Sequence, residues 1–294
     1  MTSPQFVGQE PSLSVLVQMR TKTDAEIPIV RLLLPLASYL LWAVFAVAWW
    51  STSASEIVGQ GTASPSFVIN PTPFVAGLGV LGLTASAAAS YVVFTLVNRG
   101  NDHSNRTRAL LLRALSSLEV RAGSSGQQAL LPLNSAEEGF YKLTRGERER
   151  SAVLWALLSL IPFVGWIFLA VAQWRLSRDL AKHSRLEGLV LEDVDRTLRI
   201  VGTQGIPLRS VPVRSHDALG FTVVIVSVLE LLSGVVLGLV GSLVLIYLTV
   251  GAFSLFWIDL SMTDPNGHFH YHSQLEADML RALPDTTVGT AGVA

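Results

Sequence analysis

The stretch Asp179-Leu180-Ala181-Lys182-His183-Ser184-Arg185-Leu186-Glu187-Gly188-Leu189-Val190-Leu191 decides how the chain is read. It follows a long apolar segment, and the same writing returns near the C-terminus. His183 onward reads H-S-R-L-E-G-L-V-L, and His272 onward reads H-S-Q-L-E-A-D-M-L. A fainter copy, H-S-N-R-T-R-A-L-L, begins at His103. Each copy comes after an uncharged segment long enough to enter a bilayer. Self-similarity of this kind points to a repeated structural unit. The unit is a membrane segment that exits into a polar helix opening near His-Ser.

Composition agrees. The chain has 294 residues, half of them apolar and 15% charged, against about 25% charged in soluble domains. The deficit lies in blocks, as expected of an integral membrane protein. The formal net charge is −1, so no bulk attraction to nucleic acid is implied. The chain has no cysteine, which excludes disulfides, thiolate metal sites and cysteine nucleophiles. The first apolar run, 32–50, is too long for a signal peptide and ends in Trp49-Trp50, which suits a membrane interface.

These features divide the chain into a cytoplasmic N-terminal arm at 1–31, mobile or lying on a surface, and a membrane hairpin with an amphipathic helix at 32–122. A linker at 123–144 follows, then a second hairpin with its helix at 145–201. A linker at 202–216, a third hairpin with a short helix at 217–283 and a disordered tail at 284–294 complete it. Gly82, Ser86 and Ser90 recur at spacing four in the second apolar run, which lets two helix backbones approach closely. The apolar block 221–258 is 38 residues long. At 1.5 Å per residue it would reach about 57 Å, beyond a hydrocarbon core of about 30 Å, so it must fold back. The bend belongs in the region Gly234 to Gly241, and Gly234 and Gly238 count with Gly82, Ser86 and Ser90 as helix-packing positions. On the helix after residue 175, Leu186, Val190, Val194 and Leu198 form an i, i+4 apolar stripe that needs a partner surface.

All 21 Lys and Arg residues fall in 1–31, 98–150, 175–214 and at Arg281. Basic excess marks cytoplasmic segments, so each apolar block must enter and leave on the cytoplasmic side. For 151–174 this implies a short hairpin bent at Pro162-Phe163-Val164-Gly165 and buried among other helices. The alternative is one straight crossing. The run Gly165-Trp166-Ile167-Phe168, then Trp174, then Arg178-Asp179-Leu180, resembles the hairpin of a family of small prokaryotic membrane proteins of unknown function. Over about 40 residues the resemblance implies a hairpin and no activity.

Two features could carry chemistry. Glu230 is an ionisable side chain well inside an apolar block, where charge is expensive and often marks a pathway. His268, His270 and His272 at spacing two could share one face of a strand and bind Zn, Cu or Ni, with Asp264 as an added oxygen ligand. Against a strand, Asp264-Pro265-Asn266-Gly267 is strong turn chemistry. No nucleotide loop, dinucleotide fingerprint, zinc-protease or hydrolase motif is present, and no cofactor is implied.

The expectation is an all-α polytopic membrane protein of about six membrane helices in three hairpins, each leading into an amphipathic cytoplasmic helix. Both termini are cytoplasmic. Its function is that of a non-enzymatic membrane scaffold or accessory subunit. Its partners are membrane lipid and a second copy or another membrane subunit, with no nucleic acid. The alternatives are a pore or transporter using Glu230 and a metal-binding membrane enzyme using the run 268–272.

Overall fold

In the computed structural model the described residues are 11–24, 28–59, 72–161, 165–208, 217–232 and 234–284. Their regular elements are all helical: α1 (Leu13–Gln18), α2 (Arg20–Thr23), α3 (Ile29–Gly59), α4 (Pro73–Ser125), α5 (Gln127–Gly146), α6 (Ala152–Leu160), α7 (Gly165–Ile200), α8 (Asp217–Leu232) and α9 (Gly234–Ala282). The all-α class is as read from the sequence. Two helices, Leu33–Thr52 and Pro73–Ser125, are long and apolar enough to cross a membrane; Phe221–Glu230 and Val244–Trp257 are shorter apolar stretches.

The long helices pass without a break from apolar to charged sequence. α4 has 53 residues and α9 has 49, about 80 and 74 Å at 1.5 Å per residue. Two cores result. The apolar layer packs Tyr39, Trp42 and Phe45 of α3 against Ala89 and Val93 of α4, Leu169 of α7, and Ile246 and Val250 of α9. The charged layer is centred on Leu111, Leu118, Leu133, Val194, Leu198 and Met279. The stripe of small residues on α4 lies against α3. A Cβ on Gly82 would stand 3.3 Å from the Trp42 ring. Ser86 is hydrogen-bonded to Ser38 (3.0 Å) and accepts from Trp42 Nε1 (2.8 Å). Ser90 is buried on the same face.

Several expectations change. The linker at 123–144 is helix α5, entered through Gly126 at φ 87°, and it packs along α7. Val190, Val194 and Leu198 are therefore buried within the chain, with Leu186 packed against the same core. A Cβ on Gly139 of α5 would stand only 3.1 Å from Val190. Val190, Val194 and Leu198 are thus covered by their own chain, while Leu186 keeps part of its surface exposed.

The N-terminal arm is not surface-lying where it is described, since Leu13 and Leu16 are buried in the same core. Asp264 to Gly267 is not a turn but part of α9, which runs through Pro265. An interior proline costs about 3 kcal/mol in an isolated helix; here Trp257 on one side and Phe269 and His272 on the other are buried and hold the helix together. The apolar block at 221–258 divides between Leu232 and Gly234, and Gly238 lies in the early turns of α9. The bend expected at Pro162 and the tail beyond 284 lie outside the described residues. α6 ends and α7 begins on either side of those residues, and Gly165 sits so close to the Ser159 carbonyl that a Cβ would collide with it.

Because the stripe is internal, Leu198→Ala should destabilise the charged layer by about 2–5 kcal/mol. Thermal unfolding in detergent should show the loss, with the oligomer profile of the folded fraction unchanged. A changed profile at unchanged stability would return the stripe to a partner surface.

Candidate metal centre

The two cores meet at a cluster of imidazoles. His103 lies six residues beyond Val97 on α4, His183 nine beyond Trp174 on α7, and His268 and His272 eleven and fifteen beyond Trp257 on α9. All four are buried, and one ligand atom from each lies within 4.8 Å of the others. The histidines of all three sequence copies thus converge, joined by His268 one turn earlier on α9. Each helix continues from its apolar run to its histidine, α4 through Gly100 and α9 through Pro265, so the register is carried from the apolar layer into the site.

A helix places residues i and i+4 on one face. In two copies a glutamate follows the histidine by four: Glu187 after His183 and Glu276 after His272. The Glu187 carboxylate reaches the middle of the cluster. Its Oε2 lies 3.0 Å from His272 Nε2, 3.6 Å from His183 Nε2 and 3.7 Å from His268 Nε2.

The outer nitrogens face carboxylates. His103 Nδ1 is 2.9 Å from Asp24, His183 Nδ1 is 2.5 Å from Glu147, and His272 Nδ1 is 3.7 Å from Glu276. An ionised carboxylate can only accept, so the Nδ1 of His103 and of His183 donates and each Nε2 keeps its lone pair. Those two Nε2 atoms, and both ring nitrogens of His268, are buried without a hydrogen-bond partner. Buried polar atoms normally find one. Here the vacant lone pairs share one small volume with a carboxylate oxygen. A carboxylate behind a metal-binding imidazole fixes its tautomer and raises its basicity.

Charge points the same way. Asp24, Glu147, Glu187 and Glu276 have side chains no more than 12% exposed. One fully buried guanidinium opposes them, Arg106, at 2.6 Å from Asp24 and 2.5 Å from Glu276; Arg20 approaches Glu276 from the edge at 3.9 Å. With Arg106, Arg20 and a charged His272 set against the four carboxylates, one negative charge is left over, and a divalent cation that displaced the His272 proton would balance the cluster. Burial, reinforced by His272, pushes His268 down to about 3, and burial likewise lowers His103 well below the ordinary histidine value. Both are therefore neutral and able to ligate at pH 7. Burial also opposes charge on His272, but the Glu187 and Glu276 carboxylates outweigh it and raise it to about 9. Glu187 is held down to about 2: burial works against its charge, and His272, His183 and His268 overcome it.

Of the residues expected to bind metal, His268 and His272 are in the cluster. His270 is not: α9 is a helix, so two residues turn the side chain to the far face, where His270 is exposed and contacts Gln274. Asp264 is buried one turn before His268 and lies outside the four-histidine group. Glu230 is elsewhere, on α8, accepting from Thr249 Oγ1 at 2.6 Å. His103, His183, Glu187, Glu276, Asp24 and Glu147 were not identified as site residues from the sequence. The repeat held the signal for the first four, because it writes the same histidine three times and a glutamate four residues on twice. Asp24 and Glu147 sit at helix ends and carry no such mark.

In comparisons with known proteins, no family model, no curated protein and no solved structure matches the chain.

Replacing the supporting carboxylates should weaken metal binding without abolishing it. Asp24→Asn and Glu147→Gln are each expected to lower affinity about 10–100-fold, and His270→Ala should leave it unchanged, as read by competition with a chromophoric chelator. An effect of His270→Ala equal to that of Asp24→Asn would place the ion on the wrong face of α9.

Proposed function

We propose that this chain is an integral membrane protein that holds one divalent transition-metal ion where its membrane layer meets a cytoplasmic helical layer. One observation carries the reading: the histidines of all three repeat copies converge, and in the same small volume the Nε2 atoms of His103, His183 and His268 have no hydrogen-bond partner. Imidazole and carboxylate ligands without thiolate suit zinc, iron, cobalt, nickel or copper(II) rather than magnesium or calcium. The ion would clamp α4, α7 and α9 together. It gives the scaffold role a physical basis in metal-linked helices, in place of the covered stripe on α7.

The membrane arrangement is part of the proposal: α3 with α4, α6 with α7, and α8 with α9 form three hairpins, and the second member of each continues into the cytoplasm. α6 has nine residues, about 13 Å of helix, which fits a re-entrant pair and not a crossing. Exposed apolar side chains support contact with lipid: Leu40, Val44 and Val47 on α3, Val80 and Leu83 on α4, Val153 and Leu157 on α6, Val228 on α8 and Leu248 on α9. These side chains are 45–63% exposed, as a lipid-facing surface requires. The basic residues of 98–150 and 175–214 then lie on the cytoplasmic side.

Cobalt(II) added to chelator-treated protein should bind at about one ion per chain with visible d–d absorption of a low-coordinate site, and zinc should displace it. His103→Ala and His183→Ala should each remove the bands. Because an ion that binds only the folded state stabilises it by about 4 kcal/mol at a thousandfold excess over Kd, chelation should also lower the melting temperature. A chain that takes up no cobalt and melts alike with and without chelator is not a metal protein.

Topology has its own test in this cysteine-free chain. A cysteine at Gly202 should react with an impermeant thiol reagent only after the membrane is opened. Labelling in intact cells would mean that 151–174 crosses once.

A further inference from the structure

A buried ion needs a way in, and the walls around the imidazole cluster differ in how they could open. α4, α7 and α9 are continuous helices of 53, 36 and 49 residues. Each is anchored in the apolar layer, so moving its histidine aside would mean bending a long helix. α5, which ends beside Glu147, is fastened along α7. Ser135 Oγ donates to Asp193 at 2.6 Å, Gly139 stands against Val190, and Lys182 Nζ donates to the Gly146 carbonyl at 3.0 Å. The wall that remains is the arm α1–α2. Its helices have six and four residues, too short to persist in water without packing. They are held on α4 by burial of Leu13, Leu16 and Thr23 and by the carboxylate that follows them.

That carboxylate belongs to Asp24, and it ties the arm to the site itself. One oxygen lies 2.9 Å from His103 Nδ1 and the other accepts from Arg106 at 2.6 Å. The side chains of Asp24, His103 and Arg106 are each no more than 3% exposed. Arg20 of the same arm approaches Glu276 at 3.9 Å. Lifting the arm would therefore open the side of the cluster where His103, Arg106 and Glu276 stand, and would leave every long helix in place.

We propose that the N-terminal arm is a metal-latched cover: it lifts to admit the ion, and the bound ion holds it down. The latch is the bond from His103 Nδ1–H to Asp24. Without an ion Asp24 faces a neutral imidazole, because burial lowers the His103 pKa. An ion on Nε2 would draw electron density from the ring and make the Nδ1–H a stronger donor to the carboxylate. The coupling is reciprocal, so the factor by which Asp24 tightens metal binding is also the factor by which the metal tightens the arm. The proposal rests on the metal reading and adds to it a route of entry and a change at the cytoplasmic surface that reports occupancy.

The test uses the full chain in mild detergent, metal-free and loaded with cobalt(II). Trypsin cleavage after Arg20 and Lys22 is compared with cleavage after Arg145, an exposed residue in the last turn of α5. Cleavage follows the population of the lifted arm when opening is fast. Cobalt should slow it at Arg20 and Lys22 by about 10–100-fold relative to Arg145, the range expected of a supporting carboxylate. Asp24→Asn should keep the cobalt bands at saturating metal and lose this difference. Leu16→Ser, which loosens the arm and touches no ligand, should speed cobalt uptake as well as release, whereas a site that is merely weaker releases faster and takes up no faster. Wild-type cleavage at Arg20 and Lys22 that ignores cobalt, or that changes only as much as at Arg145, overturns the proposal, and this comparison needs no variant. Uptake by Leu16→Ser at the wild-type rate overturns entry beneath the arm. A chain that forms no cobalt bands refutes the metal reading and the latch with it; bands with cobalt-indifferent cleavage refute the latch alone.

Discussion

Four imidazoles and four carboxylates have been taken out of water at one point, and the rest of the molecule is arranged around that cost. A buried carboxylate without a partner is destabilising by several kcal/mol, and a buried imidazole nitrogen without a hydrogen bond adds to it. Arg106 bridges Asp24 and Glu276 and meets part of the demand. His272 meets the Glu187 oxygen, but the Nε2 atoms of His103, His183 and His268 beside it are left without a partner, which a cation would supply. That incompleteness makes metal binding a physical inference here, independent of any likeness to another protein.

The requirement explains the length of the helices. Three histidine-bearing helices must meet with Nε2 atoms a few ångströms apart, and each must arrive with a fixed rotation. Continuous helices do this, because register is conserved from the apolar core through to the charged one. α9 keeps its course even through Pro265. A flexible joint at that point would let His268 and His272 turn away from His103 and His183.

It also gives the short elements a task. α1 and α2 bring Asp24 to His103, and the C-terminal end of α5 brings Glu147 to His183. Leu13 and Leu16 anchor the first of these, and Leu133, Ala136 and Leu143 anchor the second. Segments that look like an arm and a linker are therefore supports for the ligands. Their apolar residues are few and far apart along the chain, but each is fully used.

Much of the architecture is legible in the sequence. The apolar blocks, the helical class, the break near Gly234 and the repeated His-Ser unit follow from hydropathy and local propensity, which act over a few residues. The stripe Leu186, Val190, Val194 and Leu198 is legible too, but its partner is not, since α5 is tied to it only by packing between distant positions. The same limit applies to the site. The repeat singles out His103, His183 and His272, yet nothing local says that three separate helices meet, and spacing-two histidines at 268–272 suggest a strand face that the helix of α9 does not possess. Tertiary structure alone joined His268 to the cluster and left His270 outside. It also supplied Asp24 and Glu147 from helix ends, because convergence depends on helix length and rotation summed over the whole chain, and no short window of sequence contains that sum.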